Sequence, residues 1–235
     1  MSTELAKLVS EAAGLGTYVY WVFGLVAGWL VRWFVPSAPK PLLFRIPEPH
    51  FFPLFLFVWL FSSLMVTFLG VYKKHHFSYE VTPALKLVLE PVQISTLVTA
   101  TIEELVRVGF FALCNGTFIA GIVFNNMLFG FLHLDYAPDL IAAAPLLILF
   151  WTLGAGAFGF ALLAIALRFG IIWAILLHFL VNSGRIILVA SDMVFNYAIF
   201  AVSTVLLAYL GYRTYREYLS LASSGSGQAS EEVRA

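Results

Sequence analysis

The sequence predicts an all-α membrane protein: a polytopic bundle of about seven transmembrane helices, six to eight, around a polar intramembrane cavity. Three observations predict it. Of 235 residues, 61% are hydrophobic and only 11% charged, against roughly 45–50% and 25% in soluble domains, and the mean hydropathy is +0.93. Apolar runs near the roughly 20 residues that a bilayer core demands are separated by short polar or proline-rich breaks. Finally, acids, imidazoles and amides sit inside three of those runs, where an ionisable group costs at least roughly 2.5–3.5 kcal/mol and is expected to face the bundle interior or a water-filled cavity.

The runs follow in order. Residues 1–12 are a mixed polar N-terminal segment without the basic stretch of a secretory leader. A membrane-embedded domain is expected over 13–220. Its first span is about Gly14–Val35, with Tyr18, Tyr20 and Trp21 as one aromatic belt and Trp29 and Trp33 as the other. Gly24 and Gly28 form a small-xxx-small pair suited to close packing inside one chain. Residues 36–50 hold five prolines and read as a loop. The second span, about Phe51–Val71, ends at Lys73, Lys74, His75 and His76, an interfacial anchor. Thr82-Pro83 opens a short amphipathic piece, Ala84–Glu90, and the third span runs from about Val92 to Asn115. The fourth, about Phe118–Leu134, is followed by Asp135 and Asp139 at the water interface. The fifth lies within 140–167 and is rich in Gly and Ala. The sixth is about Ile171–Val189 and the seventh about Val194–Tyr212. The Ser/Gly-rich tail, 221–235, is expected to be disordered. Lys and Arg counts favour an outside N-terminus by the positive-inside rule.

Composition excludes several classes. Thirteen basic and thirteen acidic residues cancel, so no basic surface points to nucleic acid. One cysteine, Cys114, rules out an intrachain disulfide and a zinc site of several thiolates; it reads as a small buried apolar residue.

The chemistry concentrates at Glu103-Glu104, two adjacent acids in the middle of the third span. Ser95, Thr99, Glu103 and Arg107 recur every four residues and form one polar stripe, with Glu103 and Arg107 expected to pair at i,i+4. The fourth span carries Asn125, Asn126 and His133. In the sixth, His178, Asn182 and Arg185 fall on one face. A carboxylate and a histidine can together deprotonate a water held between them. A second histidine and an asparagine one turn away can both reach the oxyanion formed when that water attacks an amide. Neither a serine nucleophile nor the two-histidine zinc helix His-Glu-x-x-His is present. The set therefore points to water-mediated hydrolysis of a peptide bond in or near the membrane.

Glu103-Glu104-Leu-Val-Arg-Val-Gly-Phe-Phe111 resembles the first motif of the CAAX protease and bacteriocin-processing family. Phe129-Gly-Phe-Leu-His133 is similar to its Phe-x-x-x-His motif, and His178-Phe-Leu-Val-Asn182 to its His-x-x-x-Asn motif. The resemblance covers about residues 90–185, in a motif-bearing core of 90–190. It implies an intramembrane glutamic endopeptidase in which Glu103 and His133 activate water, His178 and Asn182 form the oxyanion hole, and Glu104 supports the site. One position departs: the family's arginine stands one residue later than Arg107. Either Arg107 reaches back to Glu104, or the support is rewired, or Arg185 supplies the charge.

Two alternatives stand beside this reading. One is a non-catalytic membrane protein of the same fold, acting in bacteriocin immunity or as a scaffold. The other is a zinc-dependent CAAX-type protease with His133, His178 and a glutamate as ligands. The first reading needs no cofactor and no metal. Its partners are the lipid bilayer and a membrane-associated protein or peptide substrate, with a homo-oligomer left open. Its location is the cell membrane, as a multi-pass protein.

Overall fold

The computed structural model describes residues 3–34, 43–76, 84–89, 94–136, 146–189 and 193–232. It describes their side chains except those of 3, 32–33, 66–76, 84–89, 135–136, 147, 184–189, 193 and 224–232. Helix α1 (Thr3–Val22) runs through a π-helical stretch (Phe23–Gly28) into α2 (Trp29–Phe34). Then come α3 (Phe51–His76), strand β1 (Ala84–Leu89) and α4 (Ile94–Leu113). A second π-helical stretch (Phe118–Phe124) leads into α5 (Asn125–Leu132) and a 3-10 turn (His133–Tyr136). The chain continues with α6 (Leu146–Phe169), α7 (Ile171–Ser183), strand β2 (Gly184–Val189) and α8 (Met193–Glu232).

Three helical segments are long and apolar enough to cross a membrane: Glu4–Val31, Ile148–Phe169 and Val194–Ser223. Three shorter ones, Phe51–Met65, Phe118–Leu132 and Ile171–Ser183, are also apolar. With α4, these match the seven segments picked out from the sequence. The protein is an integral membrane protein built as a helical bundle. The shorter pieces matter for the site. Helix α7 has 13 residues, about 20 Å at 1.5 Å per residue, against a hydrocarbon core of about 30 Å.

Three sequence-based expectations change here. The sixth segment does not continue helically to Val189. It stops at Ser183, and residues 184–189 pair antiparallel with 84–89, from Ala84↔Val189 to Leu89↔Gly184. The expected amphipathic piece at 84–90 is therefore a strand, and the bundle carries a two-stranded ribbon that an all-α reading leaves out. The pairing joins segments a hundred residues apart, which local periodicity does not report. Last, the helix of the seventh segment continues past Ser223 to Glu232, across most of the tail. Once a helix is nucleated, each added residue gains a hydrogen bond, so a ladder can run on into a weak helix-forming sequence.

Helix α6 is the axis of the core. It is apolar all round, exposed at Leu146, Leu149 and Leu153 but enclosed over residues 161–169, and packs against α8, α5 and α7. Leu162, Leu163, Ile165, Phe51, Phe111, Leu177 and Leu207 are essentially inaccessible around it. The α1–α2 rod crosses α4 through glycines. A Cβ at Gly28 would land on the Gly109 backbone, and one at Gly109 on the Gly24 carbonyl oxygen. Gly24 and Gly28 thus pack within the chain, and Trp29 closes the crossing with an indole hydrogen bond to the Leu105 carbonyl, 3.2 Å.

The turn between α6 and α7 is held by the loop before α3. Gly170 has φ +113°, a conformation that side chains disfavour. Around it Arg45 N–H donates to the Phe169 carbonyl, 2.9 Å, and Ile172 N–H to the Leu43 carbonyl, 3.2 Å. Arg168, 5% exposed, donates from Nη2 to Oε1 of Glu48 at 2.9 Å. That hydrogen bond holds the Glu48 carboxyl below its ordinary value of 4.5.

Candidate active site

Glu103 and Glu104 are the tenth and eleventh of the twenty residues of α4, at mid-depth if the helix crosses the bilayer. Residues 103, 104, 106, 107 and 108 are all buried, so the middle of α4 is enclosed on nearly every side. Of the polar stripe, Glu103 and Arg107 are inside, whereas Ser95 is exposed.

Neighbouring carboxylates on a helix diverge by about 100°, and the two acids meet different partners. Glu104, fully buried, takes both of its contacts on Oε1, from Arg107 Nη1 and from His178 Nδ1 at 2.7 Å. The expected i,i+4 pairing of Glu103 with Arg107 is therefore replaced by an i,i+3 pairing of Glu104 with Arg107. Arg107 reaches back toward the helix N-terminus, the direction helical side chains lean. Its guanidinium also lies over the Phe129 ring, 3.9 Å from the centroid. This settles where the displaced arginine goes. Arg185 falls in β2, not on the α7 face, and its side chain lies outside the described residues.

Glu103 faces the imidazoles instead. Its Oε2 lies 3.4 Å from His178 Nε2 and 4.0 Å from His133 Nε2. His133 Nδ1 lies 2.7 Å from the Phe129 carbonyl oxygen. A carbonyl only accepts, so Nδ1 carries a proton, and it is the neutral form of the ring that presents an Nε2 lone pair toward Glu103. Two acceptors 4.0 Å apart are beyond a direct hydrogen bond and within reach of one bridging water. A cavity bounded by Glu103, His133, Phe129 and Leu132, with Thr17, Tyr20 and Trp21 of α1, offers about 20 Å³ for a water's centre. That is room for about one molecule.

The same donor logic fixes His178. Its Nδ1–H donates to the ion-paired Glu104, so Nε2 can donate only if the ring is protonated at both nitrogens. The ring is 3% exposed and meets the edge of Phe158 at 5.4 Å. Asn182, one turn further along α7, is half-buried and lines a second cavity together with His133.

Other supporting residues were not visible as such in the sequence. Tyr20 is not a belt residue: it is 3% exposed, and its hydroxyl donates to Asn125 Oδ1 at 2.5 Å. Asn125 Nδ2 in turn donates to the Arg107 carbonyl at 3.0 Å. One amide thus joins α1, α4 and α5 directly behind the acids. Asn126, by contrast, bonds within its own helical segment, to the Ile122 carbonyl. Cys114 is half-buried at the end of α4, not enclosed as expected. The side chains of Lys73, Lys74, His75, His76 and Asp135, and all of Asp139, lie outside the described residues. Among the described residues no three His, Cys, Asp or Glu side chains are grouped as a metal centre requires.

No curated protein and no solved structure matches the chain. Residues 86–184 match the family model described as type II CAAX prenyl endopeptidase Rce1-like. The match begins in β1, ends at the start of β2, and contains Glu103, Glu104, Arg107, His133, His178 and Asn182. Over that segment the chain is similar to the type II CAAX prenyl endopeptidase Rce1-like family.

Proposed function

We propose that the protein is an intramembrane endopeptidase that hydrolyses a peptide bond of a membrane-associated protein or peptide by activating water between Glu103 and His133. The observation that carries this is the opposed pair of acceptors. The Glu103 carboxylate and the Nε2 lone pair of His133 face each other at 4.0 Å across a cavity sized for one water. A water there gives one hydrogen to each acceptor and aims its own lone pairs outward.

The step balances as follows. The water oxygen bonds to the carbonyl carbon while its proton passes to Glu103 or His133. The carbonyl π electrons move to oxygen, and the oxyanion accepts hydrogen bonds from Asn182 and from His178 Nε2–H. His178 donates there as an imidazolium, with Glu104 on one nitrogen and Glu103 facing the other. When the C–N bond breaks, the stored proton moves to the departing amine, leaving a carboxylic acid and an amine. Glu104 and Arg107 take no part in this transfer; they orient the His178 ring. The reaction so written uses no metal or cofactor, and its setting is the cell membrane.

The test is cleavage of membrane-inserted peptides by the full chain in liposomes, beside a Glu103→Gln control. Products from the wild type and none from the control support the reading. Equal products from both overturn it.

A further inference from the structure

The water-sized cavity between Glu103 and His133 has one wall from outside the matched segment 86–184. Thr17, Tyr20 and Trp21 of α1 supply it. Thr17 turns its hydroxyl back to the Ala13 carbonyl of its own helix, 3.0 Å. Tyr20 instead leaves α1. Its ring lies beside Phe110 of α4, centroids 5.2 Å apart, and its hydroxyl reaches Asn125 Oδ1.

Asn125 is fully buried, and both ends of its amide are used. The Arg107 carbonyl only accepts, so Nδ2 faces it at 3.0 Å. Oδ1 is then left to the phenol, which donates. Two directed hydrogen bonds thus run from α1 through α5 to the backbone of α4. Each end of this strut serves one half of the water site. In the helical ladder the Arg107 N–H pairs with the Glu103 carbonyl, so the anchored residue is one hydrogen bond from the base. Asn125 opens α5, which ends at Leu132 directly before His133. The spacing of α4 and α5 sets the 4.0 Å gap between Glu103 Oε2 and His133 Nε2.

We propose that Tyr20 is a positioning residue for hydrolysis: by fixing the Asn125 amide it sets the distance between Glu103 and His133, and so the fit of the water between them. The assignment rests on the endopeptidase reading above. It gives α1 a part in the reaction, although the family match does not include that helix.

The test uses the full chain in phosphatidylcholine liposomes. A library of membrane-inserted peptides is offered first, and one that the wild type cuts becomes the substrate. The turnover, KM and melting temperature of Tyr20→Phe, Asn125→Leu and the double variant are then compared with the wild type. Phenylalanine keeps the ring and removes the hydroxyl, which frees the amide to turn. A misplacement of about 1 Å can cost roughly 10²-fold in rate. Tyr20→Phe is therefore expected to lose about tenfold to a hundredfold in kcat, with KM near the wild-type value. Replacing both partners by apolar groups leaves no orphaned polar atom and can be nearly neutral for stability. The double variant should thus regain the wild-type melting temperature and keep the low kcat. If kcat returns together with the melting temperature, or if folded Tyr20→Phe cuts at the wild-type rate, the positioning role alone is overturned. No cleavage by the wild type overturns the endopeptidase reading and this inference with it.

Discussion

The Nδ1 of His178 lies 2.7 Å from Oε1 of Glu104, an oxygen that Arg107 also holds from the same helix. This ties α7 to α4 through a buried ion pair, and breaking such a pair from one side costs about 3–5 kcal/mol because a charge is left uncompensated. Arg107→Leu is expected to lose roughly that much stability, and Glu104→Gln less, since glutamine still offers a carbonyl oxygen. The double variant should be more stable than the sum of the two losses implies, because it leaves no unpaired charge. Thermal denaturation of the four proteins in detergent measures this. A strictly additive result means that the two side chains do not act as a pair.

Glu103→Gln should abolish hydrolysis and leave the fold intact. Glutamine keeps the shape and the hydrogen bonding but cannot accept a proton. Loss of a positioned base costs about 10²–10⁴ in rate, so turnover should fall by at least two orders of magnitude with little change in melting temperature. A Gln variant cutting at the wild-type rate removes Glu103 as the base.

How much of this was readable in the chain follows from where each interaction lies. The convergence of acid, imidazole and amide was legible because these groups are among the few polar ones on otherwise apolar segments, and the bilayer leaves such groups few places to go. The partner of Arg107 was not. Helical spacing offers Glu103 and Glu104 equally, and the choice is made by His178, 74 residues away on another helix. Tyr20 looked like a belt residue because an interfacial tyrosine and a buried one read alike until the acceptor is known; here it is Asn125, 105 residues on. The end of α7 was misplaced for the same reason. Residues 184–189 are apolar enough to continue a helix, and only their pairing with 84–89 makes them a strand.

The loop before α3 should respond to acid through Glu48. Arg168 holds its folded-state carboxyl below the ordinary 4.5. A depressed value contributes stability that is fully present above the unfolded value and is lost as pH falls through the folded one. Glu48→Gln should therefore melt below the wild type at neutral pH. The difference should vanish as pH drops well below 4.5. Melting curves of both proteins from pH 7 to about 3 check this, and a gap that persists unchanged into acid means the carboxylate is not what Arg168 needs.

Hydrolysis should survive exhaustive chelation. Zinc wants three or four ligands held in tetrahedral geometry, and among the described residues no three His, Cys, Asp or Glu side chains are grouped to hold it. Elemental analysis of protein purified without chelator is the measurement. One zinc per chain, lost together with activity, would replace the water-activation scheme with the zinc-dependent one.

Asn182→Ala separates a catalytic amide from a structural one. Asn182 stands one turn from His178, so both side chains can address one oxygen above that face of α7. A donor that acts on a developing oxyanion does so mainly in the transition state. Its loss typically costs about 10²–10³ in kcat, while KM stays near the wild-type value because the ground-state carbonyl is held by other contacts. His178→Ala should behave alike, with a further stability loss from the freed Glu104–Arg107 pair. The double variant should be worse than either single but less than additive, since the two donors serve one atom. If Asn182 instead ties helices together, its truncation lowers the melting temperature and leaves the turnover of the folded fraction near normal. An Asn182→Ala protein that melts early yet cuts at full rate removes the amide from the oxyanion hole, and leaves His178 without the neighbour that would make its Nε2–H a stabilising donor and not just a packed ring.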